Sequence, residues 1–259
     1  MSMFQEENVA VVEQVQRALF WQDLLSCFQL GTTRILSHND YLDFQHLGIL
    51  GERTTPPGFL SFMRTWPPDF VVFLQDLNAL CRSVDRRHPA IAALPIDNSQ
   101  ANLESRLADL LSVSRRSGSR ADLIYEACIF AAYLCTYKLS IGIWNGCFVP
   151  EVCVNQILLR LINATTDPRW VSCPQLLLWL LFVAGGLTER KSMRQRIKVL
   201  IESAFAYRLA GLLKNWKSTK KVLRRFIWCE CVMEREVLGY WQELHPQDVL
   251  ALRWEDPIE

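Results

Sequence analysis

The sequence lacks most of the short patterns that mark catalytic and metal-binding sites. Its nine cysteines include no C-x-x-C pair, the chelating turn on which structural zinc sites are usually built. It has no glycine-rich phosphate loop, and its four histidines show no H-x-x-x-H spacing. The acidic D-D-x-x-D pattern with which helical enzymes bind diphosphates through metal ions is also absent. We therefore expect a protein that is not an enzyme and that needs no cofactor.

The cysteines are typical of reduced thiols in a buried setting. Most lie in apolar runs, as Cys128 and Cys135 do, where cysteine behaves as a small hydrophobic residue. An odd number of cysteines and the lack of a secretory signal favour a reducing compartment. Cys229 and Cys231 bracket one residue, and they would bind a metal ion only with ligands from elsewhere. The spacing alone predicts no metal site.

Apolar runs long enough to cross a membrane are missing as well. Residues 176–187 are too few, since a spanning helix needs about 20 apolar residues. Residues 123–144 are interrupted by Glu126 and Lys138. A central helix that is buried on all sides explains both runs, and we expect no membrane association.

Apolar residues instead recur at the three-and-four spacing of helices along most of the chain, and no alternating run marks a strand. We predict an all-α fold, a single large irregular domain of about eight to ten helices over residues 1–245. A soft boundary is expected at 85–100, and residues 246–259 form a C-terminal tail.

Glycine and proline mark several helix ends. The first helix is predicted to end near Gly31, and the motif Trp66-Pro-Pro-Asp69 starts a later one, because proline and aspartate suit the first helical turn. Pro174 opens an uncharged helical run that ends in the pair Gly185-Gly186. We expect this run to form the central buried helix.

Basic residues are concentrated directly after that run. Residues 189–225 hold twelve basic and two acidic residues, whereas the rest of the chain has sixteen basic and twenty-five acidic ones. Six of the basic residues form two stripes at a spacing of four, and they are the predicted interaction face: Arg190, Arg194 and Lys198, then Lys217, Lys221 and Arg225.

Like charges at that spacing repel by a few tenths of a kcal/mol per pair on an isolated helix. An acidic partner surface or a polyanion would relieve the repulsion, and so would the acidic excess of the chain itself; a plain solvated helix face is the simplest alternative. Because no base-reading motif accompanies the stripes, we do not expect direct DNA binding from this chain alone.

One polar cluster invites a catalytic interpretation. His38, Asp40 and Asp43 lie close together in a predicted loop, and such groups can serve acid–base chemistry. Short polar side chains also cap turns, and we favour that second interpretation.

Two segments resemble a known family. Leu178–Phe182 (LWLLF) precedes Gly185-Gly186 and a basic amphipathic helix, and Val222–Trp228 (VLRRFIW) follows. With the compatible segments FWQDL at 20–24 and PPGF at 56–59, they resemble the fungal-specific transcription factor domain over about residues 15–245. That all-helical regulatory region accompanies the binuclear zinc-cluster (Zn2Cys6) finger of fungal regulators.

The finger itself, a repeated C-x2-C-x6-C pattern, does not occur here. Either the gene product naturally lacks a DNA-reading module, or the sequence is a fragment of a longer regulator. The resemblance implies a nuclear transcription regulator that acts through protein contacts, by dimerisation or in response to an effector, and that controls a pathway gene cluster. Its expected partner is a zinc-cluster regulator or a second copy of the chain. The alternative is a non-catalytic helical scaffold or a truncated relic of such a regulator, with a cytoplasmic localisation.

Overall fold

The described parts of the chain are helical almost throughout. A computed structural model describes residues 3–40, 52–86, 98–116, 122–139 and 148–246. These ranges contain eleven α-helices and no strand, and nine of the helices have at least seven residues. The predicted all-α fold of one irregular domain is confirmed. The helices are α1 (Met3–Leu30), α2 (Pro68–Arg86), α3 (Asn98–Arg116), α4 (Leu123–Leu139), α5 (Val149–Asn163), α6 (Arg169–Ser172), α7 (Pro174–Gly186), α8 (Lys191–Leu200), α9 (Ala206–Leu209), α10 (Trp216–Leu223) and α11 (Glu230–Leu244).

Helix α7 lies at the centre of the second half of the chain. Every residue from Leu176 to Gly186 is buried, and the helix contacts α4, α5, α6 and every helix from α8 to α11. A helix that is apolar all round is stable in water only when it is enclosed in this way. The central helix predicted to open at Pro174 is therefore confirmed.

The paired glycines allow α11 to cross closely over the end of α7. A Cβ atom at Gly185 would lie 2.6 Å from Cδ1 of Tyr240, and one at Gly186 would lie 2.6 Å from Cγ2 of Val237. Carbon atoms in contact are normally separated by about 3.5–4 Å. Only residues without a side chain fit at this crossing.

Helices α4 and α5 form the other large helix pair, and they bury an ion pair. Nη2 of Arg160 lies 2.7 Å from Oε2 of Glu126, and the guanidinium lies 4.6 Å from the centre of the Phe130 ring. Burial would disfavour either charge alone, so the two charges depend on each other.

Helix α2 begins at Pro68, as predicted, and α1 ends at Leu30, one residue before Gly31 with its positive φ of 75°. The predicted boundary at 85–100 falls largely on residues 87–97, which lie outside the described ranges, and so do tail residues 247–259. Helix α2 contacts α3, α4 and α11, so one hydrophobic core joins the two sides of that segment.

A buried arginine anchors the segment after α1 against α3. Arg34 lies 3.2 Å from Asp23 of α1 and 2.8 Å from Asp109 of α3, and it donates a hydrogen bond to the carbonyl of Ser105. The second carboxylate oxygen of Asp109 accepts the backbone N–H of His38 at 2.7 Å. These contacts hold the segment at 34–39 over the side of α3.

Candidate functional site

The first stripe of the predicted basic face is paired with acidic residues of the same chain. Each of its three cations has a carboxylate partner: Arg190 with Glu151 at 2.6 Å, Arg194 with Glu243 at 2.6 Å, and Lys198 with Glu202 at 3.9 Å. Because these pairs lie at the surface, each stabilises the fold only modestly, by about 0–1 kcal/mol. These pairs nevertheless neutralise the positive charge of the first stripe. The chain's own acidic residues therefore relieve the repulsion there, which is one of the alternatives that the sequence left open.

The second stripe keeps its positive charge. Lys217 and Lys221 are exposed, and neither has an ion pair within the described ranges. Arg225 donates to Oε1 of Gln175 at 2.5 Å, and a neutral amide leaves the guanidinium charge uncompensated. Lys220, which lies between Lys217 and Lys221 in sequence, instead contacts Glu230 and Glu234 of α11, and the hydrogen bonds that it donates to these carboxylates raise its pKa.

The two stripes do not form one continuous face. Arg225 binds Gln175 in the first turn of α7, whereas Nε of Arg194 donates to the carbonyl of Thr188, just beyond the last turn. Helix α7 has 13 residues and is therefore about 20 Å long. The predicted face is thus two sites of different character, of which only the second is available to an anionic partner.

A half-open pocket of about 700 Å³ is formed by residues from the first half of the chain. It lies among the first turns of α2 and α4 and the side of α3. Its volume is that of ordinary ligand pockets. Fourteen residues line it: His38, Asn39, Thr65, Trp66, Pro67, Asp69, Val72, Arg106, Asp109, Leu110, Val113, Ser114, Asp122 and Tyr125. The Arg34 network places His38 and Asn39 at its rim.

Three lining residues hold polar atoms that are shielded from solvent and have no hydrogen-bond partner within the described ranges. They are Nε1 of Trp66, the hydroxyl of Tyr125 and Nδ1 of His38. Trp66 is 5% exposed and Tyr125 is 6% exposed. A buried donor without an acceptor costs about 1–3 kcal/mol, and most such groups in proteins are satisfied. Three such atoms lie behind one pocket wall, and because they are shielded from solvent, a ligand in the pocket would reach them only after side chains of the wall move.

Burial also determines the charge of these groups. Desolvation is the main cause of the lowered pKa of His38, so its imidazole is neutral at pH 7. Desolvation likewise raises the pKa of Tyr125 far above its usual value of 10, so the phenol remains a proton donor. At neutral pH the groups behind the wall are therefore an indole N–H, a phenol O–H and an uncharged imidazole.

Most carboxylates of the pocket are already engaged. Asp109 pairs with Arg34, and Asp122 lies 2.8 Å from Arg169 while its other oxygen accepts backbone N–H groups at the start of α4. Asp69 is exposed in the first turn of α2. The remaining lining is largely apolar, so the pocket suits a small organic molecule that carries hydrogen-bond acceptors.

The sequence interpretation located only part of this pocket. The sequence indicates only a turn at His38, and the side chains of Asp40 and Asp43 lie outside the part that the structure describes. In the sequence, Trp66 is marked only as the residue before a helix, and Tyr125 is one member of an apolar run. No sequence signal joins residues that are separated by 59 positions and that meet only after folding.

The cysteines follow the predicted pattern. Among the described ones, six are buried, Cys173 is half-buried and Cys231 is exposed. Burial raises the pKa of Cys128 and Cys135, so these thiols remain protonated and packed among apolar groups. Cys147 lies outside the described ranges.

No protein-family model, no curated protein and no solved structure matches this chain. The resemblance to the fungal-specific transcription factor domain therefore stays a prediction. Within the described residues, no helix is both long and apolar enough to cross a bilayer.

Proposed function

We propose that this chain is a helical regulatory domain of a fungal transcription regulator, which acts in the nucleus, binds a small effector and contacts a protein partner. The observation that carries the proposal is the half-open pocket of about 700 Å³ that Trp66 and Tyr125 help to line. The sequence resemblance supplies the functional class, and the pocket supplies a place for the effector.

The second stripe is the surface that we assign to the partner. Lys217, Lys221 and Arg225 present three uncompensated charges on and just after one short helix. Their mutual repulsion would be relieved by an acidic surface. A zinc-cluster regulator with such a surface fits, and so does a second copy of this chain, whose residues outside 189–225 carry an acidic excess.

A genome-wide map of chromatin occupancy tests the transcriptional role. The tagged chain is compared in its host with the variant Lys217→Glu/Lys221→Glu, whose substitutions lie on an exposed face and leave the core intact. We expect discrete promoter peaks for the natural chain and their loss in the variant at equal protein level. The sites beneath the peaks would identify the DNA-binding partner's motif. No enrichment of a stable, well-expressed chain would contradict the role.

The effector is tested separately, with purified protein. The rise in Tm caused by each compound of a library of small organic molecules with hydrogen-bond acceptors is measured for the natural chain and for Tyr125→Phe. The substitution removes one hydrogen-bond donor but keeps the ring. We expect a ligand whose affinity falls about tenfold in the variant, the value of one buried hydrogen bond. Equal affinity in both proteins would place the ligand elsewhere.

The second candidate function is a helical scaffold or relic without a regulatory role. The internal pairing of Arg190, Arg194 and Lys198 favours it, because that stripe behaves as an ordinary solvated helix face. A diffuse cytoplasmic distribution would support the scaffold, whereas a nuclear one with promoter peaks would exclude it.

A further inference from the structure

Three potential metal ligands from distant parts of the chain meet where α2 ends and α11 begins. Asp85 lies in the last turn of α2, Cys229 directly precedes α11, and Cys231 lies in its first turn. The Sγ atoms of the two cysteines are 3.7 Å apart, and Oδ1 of Asp85 lies 3.3 Å from Sγ of Cys229. All three ligand atoms lie within 4.8 Å of one another.

These separations match the edges of a tetrahedral zinc site. With Zn–S bonds of about 2.3 Å and a Zn–O bond of about 2.0 Å, tetrahedral angles place two sulfurs about 3.8 Å apart and a sulfur and an oxygen about 3.5 Å apart. The two separations that involve Cys229, 3.7 Å and 3.3 Å, are close to these values. Sγ of Cys231 lies within 4.8 Å of the Asp85 carboxylate, and rotation of the exposed Cys231 side chain would close that edge. A spacing of one residue between two cysteines thus becomes meaningful once Asp85 is beside them.

The carboxylate of Asp85 is held in place by the backbone of α11. Its Oδ2 accepts the N–H of Glu230 at 3.1 Å, and its Oδ1 accepts the N–H of Cys231 at 3.0 Å. Carboxylates that bind metals are commonly oriented by hydrogen bonds of this kind. Capping of α11 explains why Asp85 lies here, but it does not explain why the Cys229 thiol donates to the same carboxylate while the Cys231 thiol lies beside it.

We propose that Asp85, Cys229 and Cys231 bind one zinc ion, with water as the fourth ligand. Asp85 and Cys231 are exposed and Cys229 is buried, so the ion enters from solvent and rests against the core. Each thiol loses its proton to solvent when its sulfur binds the metal. Binding therefore releases two protons and leaves a site of net charge −1 from one dication, two thiolates and one carboxylate.

The consequence is a link between two helices. Asp85 and Cys231 are 146 positions apart, and α11 packs across the glycine end of α7. Zinc would join the end of α2 to the first turn of α11 and would stabilise the folded state, because the unfolded chain does not hold these ligands together.

The test uses the full chain, stripped of metal with a chelator and kept reduced with a phosphine that lacks thiols. Cobalt(II) is titrated as a spectroscopic probe, and zinc is then added in competition. We expect one equivalent of cobalt with thiolate charge-transfer bands and intense visible bands of tetrahedral geometry, displaced by zinc with release of two protons per ion. We also expect a higher Tm with zinc.

Two variants and one control distinguish this site from scattered thiol binding. Cys231→Ser removes an exposed ligand, and Asp85→Asn keeps an acceptor for the α11 backbone but loses the charge. Each is expected to weaken the affinity for zinc by about tenfold or more. Cys173→Ser, a half-buried cysteine away from the cluster, is expected to bind as the natural chain does. Absent saturable binding, or equal losses in Cys173→Ser and Cys231→Ser, would overturn the proposal.

Discussion

Replacing Gly185 with alanine should destabilise the protein, although alanine normally favours helices over glycine by about 1 kcal/mol. The new Cβ would lie 2.6 Å from Cδ1 of Tyr240, a fully buried ring that also packs edge-on against Phe182. Because the ring is enclosed by neighbouring side chains, we expect α7 and α11 to separate. Overpacking of this kind costs about 1–3 kcal/mol.

The matched control is Gly239→Ala, which lies in α11 with no atom within 4 Å of its added Cβ. There the helix preference acts alone, and we expect a gain of about 0.5–1 kcal/mol. Chemical denaturation followed by circular dichroism measures both variants, and equal m-values confirm that the two transitions are comparable. If Gly185→Ala proved as stable as the natural chain, the close crossing of α7 and α11 would be refuted.

Four further substitutions test the interior, the two stripes and the pocket. Arg160→Met should lower the unfolding free energy by about 3–5 kcal/mol, because Glu126 would be left buried without its cation; a loss below 1 kcal/mol would contradict the buried pair. Arg194→Glu should lower the unfolding free energy by up to about 1 kcal/mol, because it removes the pair with Glu243. Lys217→Glu should raise it by a few tenths of a kcal/mol, because the repulsion from Lys221 becomes an attraction. If denaturant melts ranked the two variants in the opposite order, the paired first stripe and the unpaired second stripe would be refuted. Tyr125→Phe should leave ligand-free stability unchanged or slightly higher, since the hydroxyl has no acceptor within the described residues, and a marked loss would reveal one.

Sequence patterns predicted the features that depend on neighbouring residues. The uncharged run after Pro174 had to be enclosed, because no face of it is suited to water, and α7 is enclosed. Proline and aspartate after Trp66 marked the start of α2, and Gly31 marked the end of α1, since each of these residues favours a particular backbone conformation at a helix end.

The sites could not be predicted in the same way, because they join residues that are distant in sequence. The pocket needs His38, Trp66 and Tyr125 from three separate segments, and Cys229 gains Asp85 only through the packing of α11 against α2. The π-helical turn at Ile201–Phe205, which joins α8 to α9, also has no signature in the apolar spacing, since its neighbours keep ordinary helical periodicity. Helix periodicity reports which face is buried, but not which other helix covers it.

The distribution of charge narrows the kind of partner that the basic segment can attract. Attraction to nucleic acid grows with the number of phosphates that a surface neutralises. Of the six predicted residues, Arg190, Arg194 and Lys198 already have carboxylate partners, so they add little to the attraction of a distant anion. The three charges left on and after α10 extend over less than three helical turns. A short acidic segment of a protein can match that length, whereas a duplex would leave most of its phosphates without a partner. This is why we assign the surface to a protein, and why salt should weaken its binding to the partner only moderately.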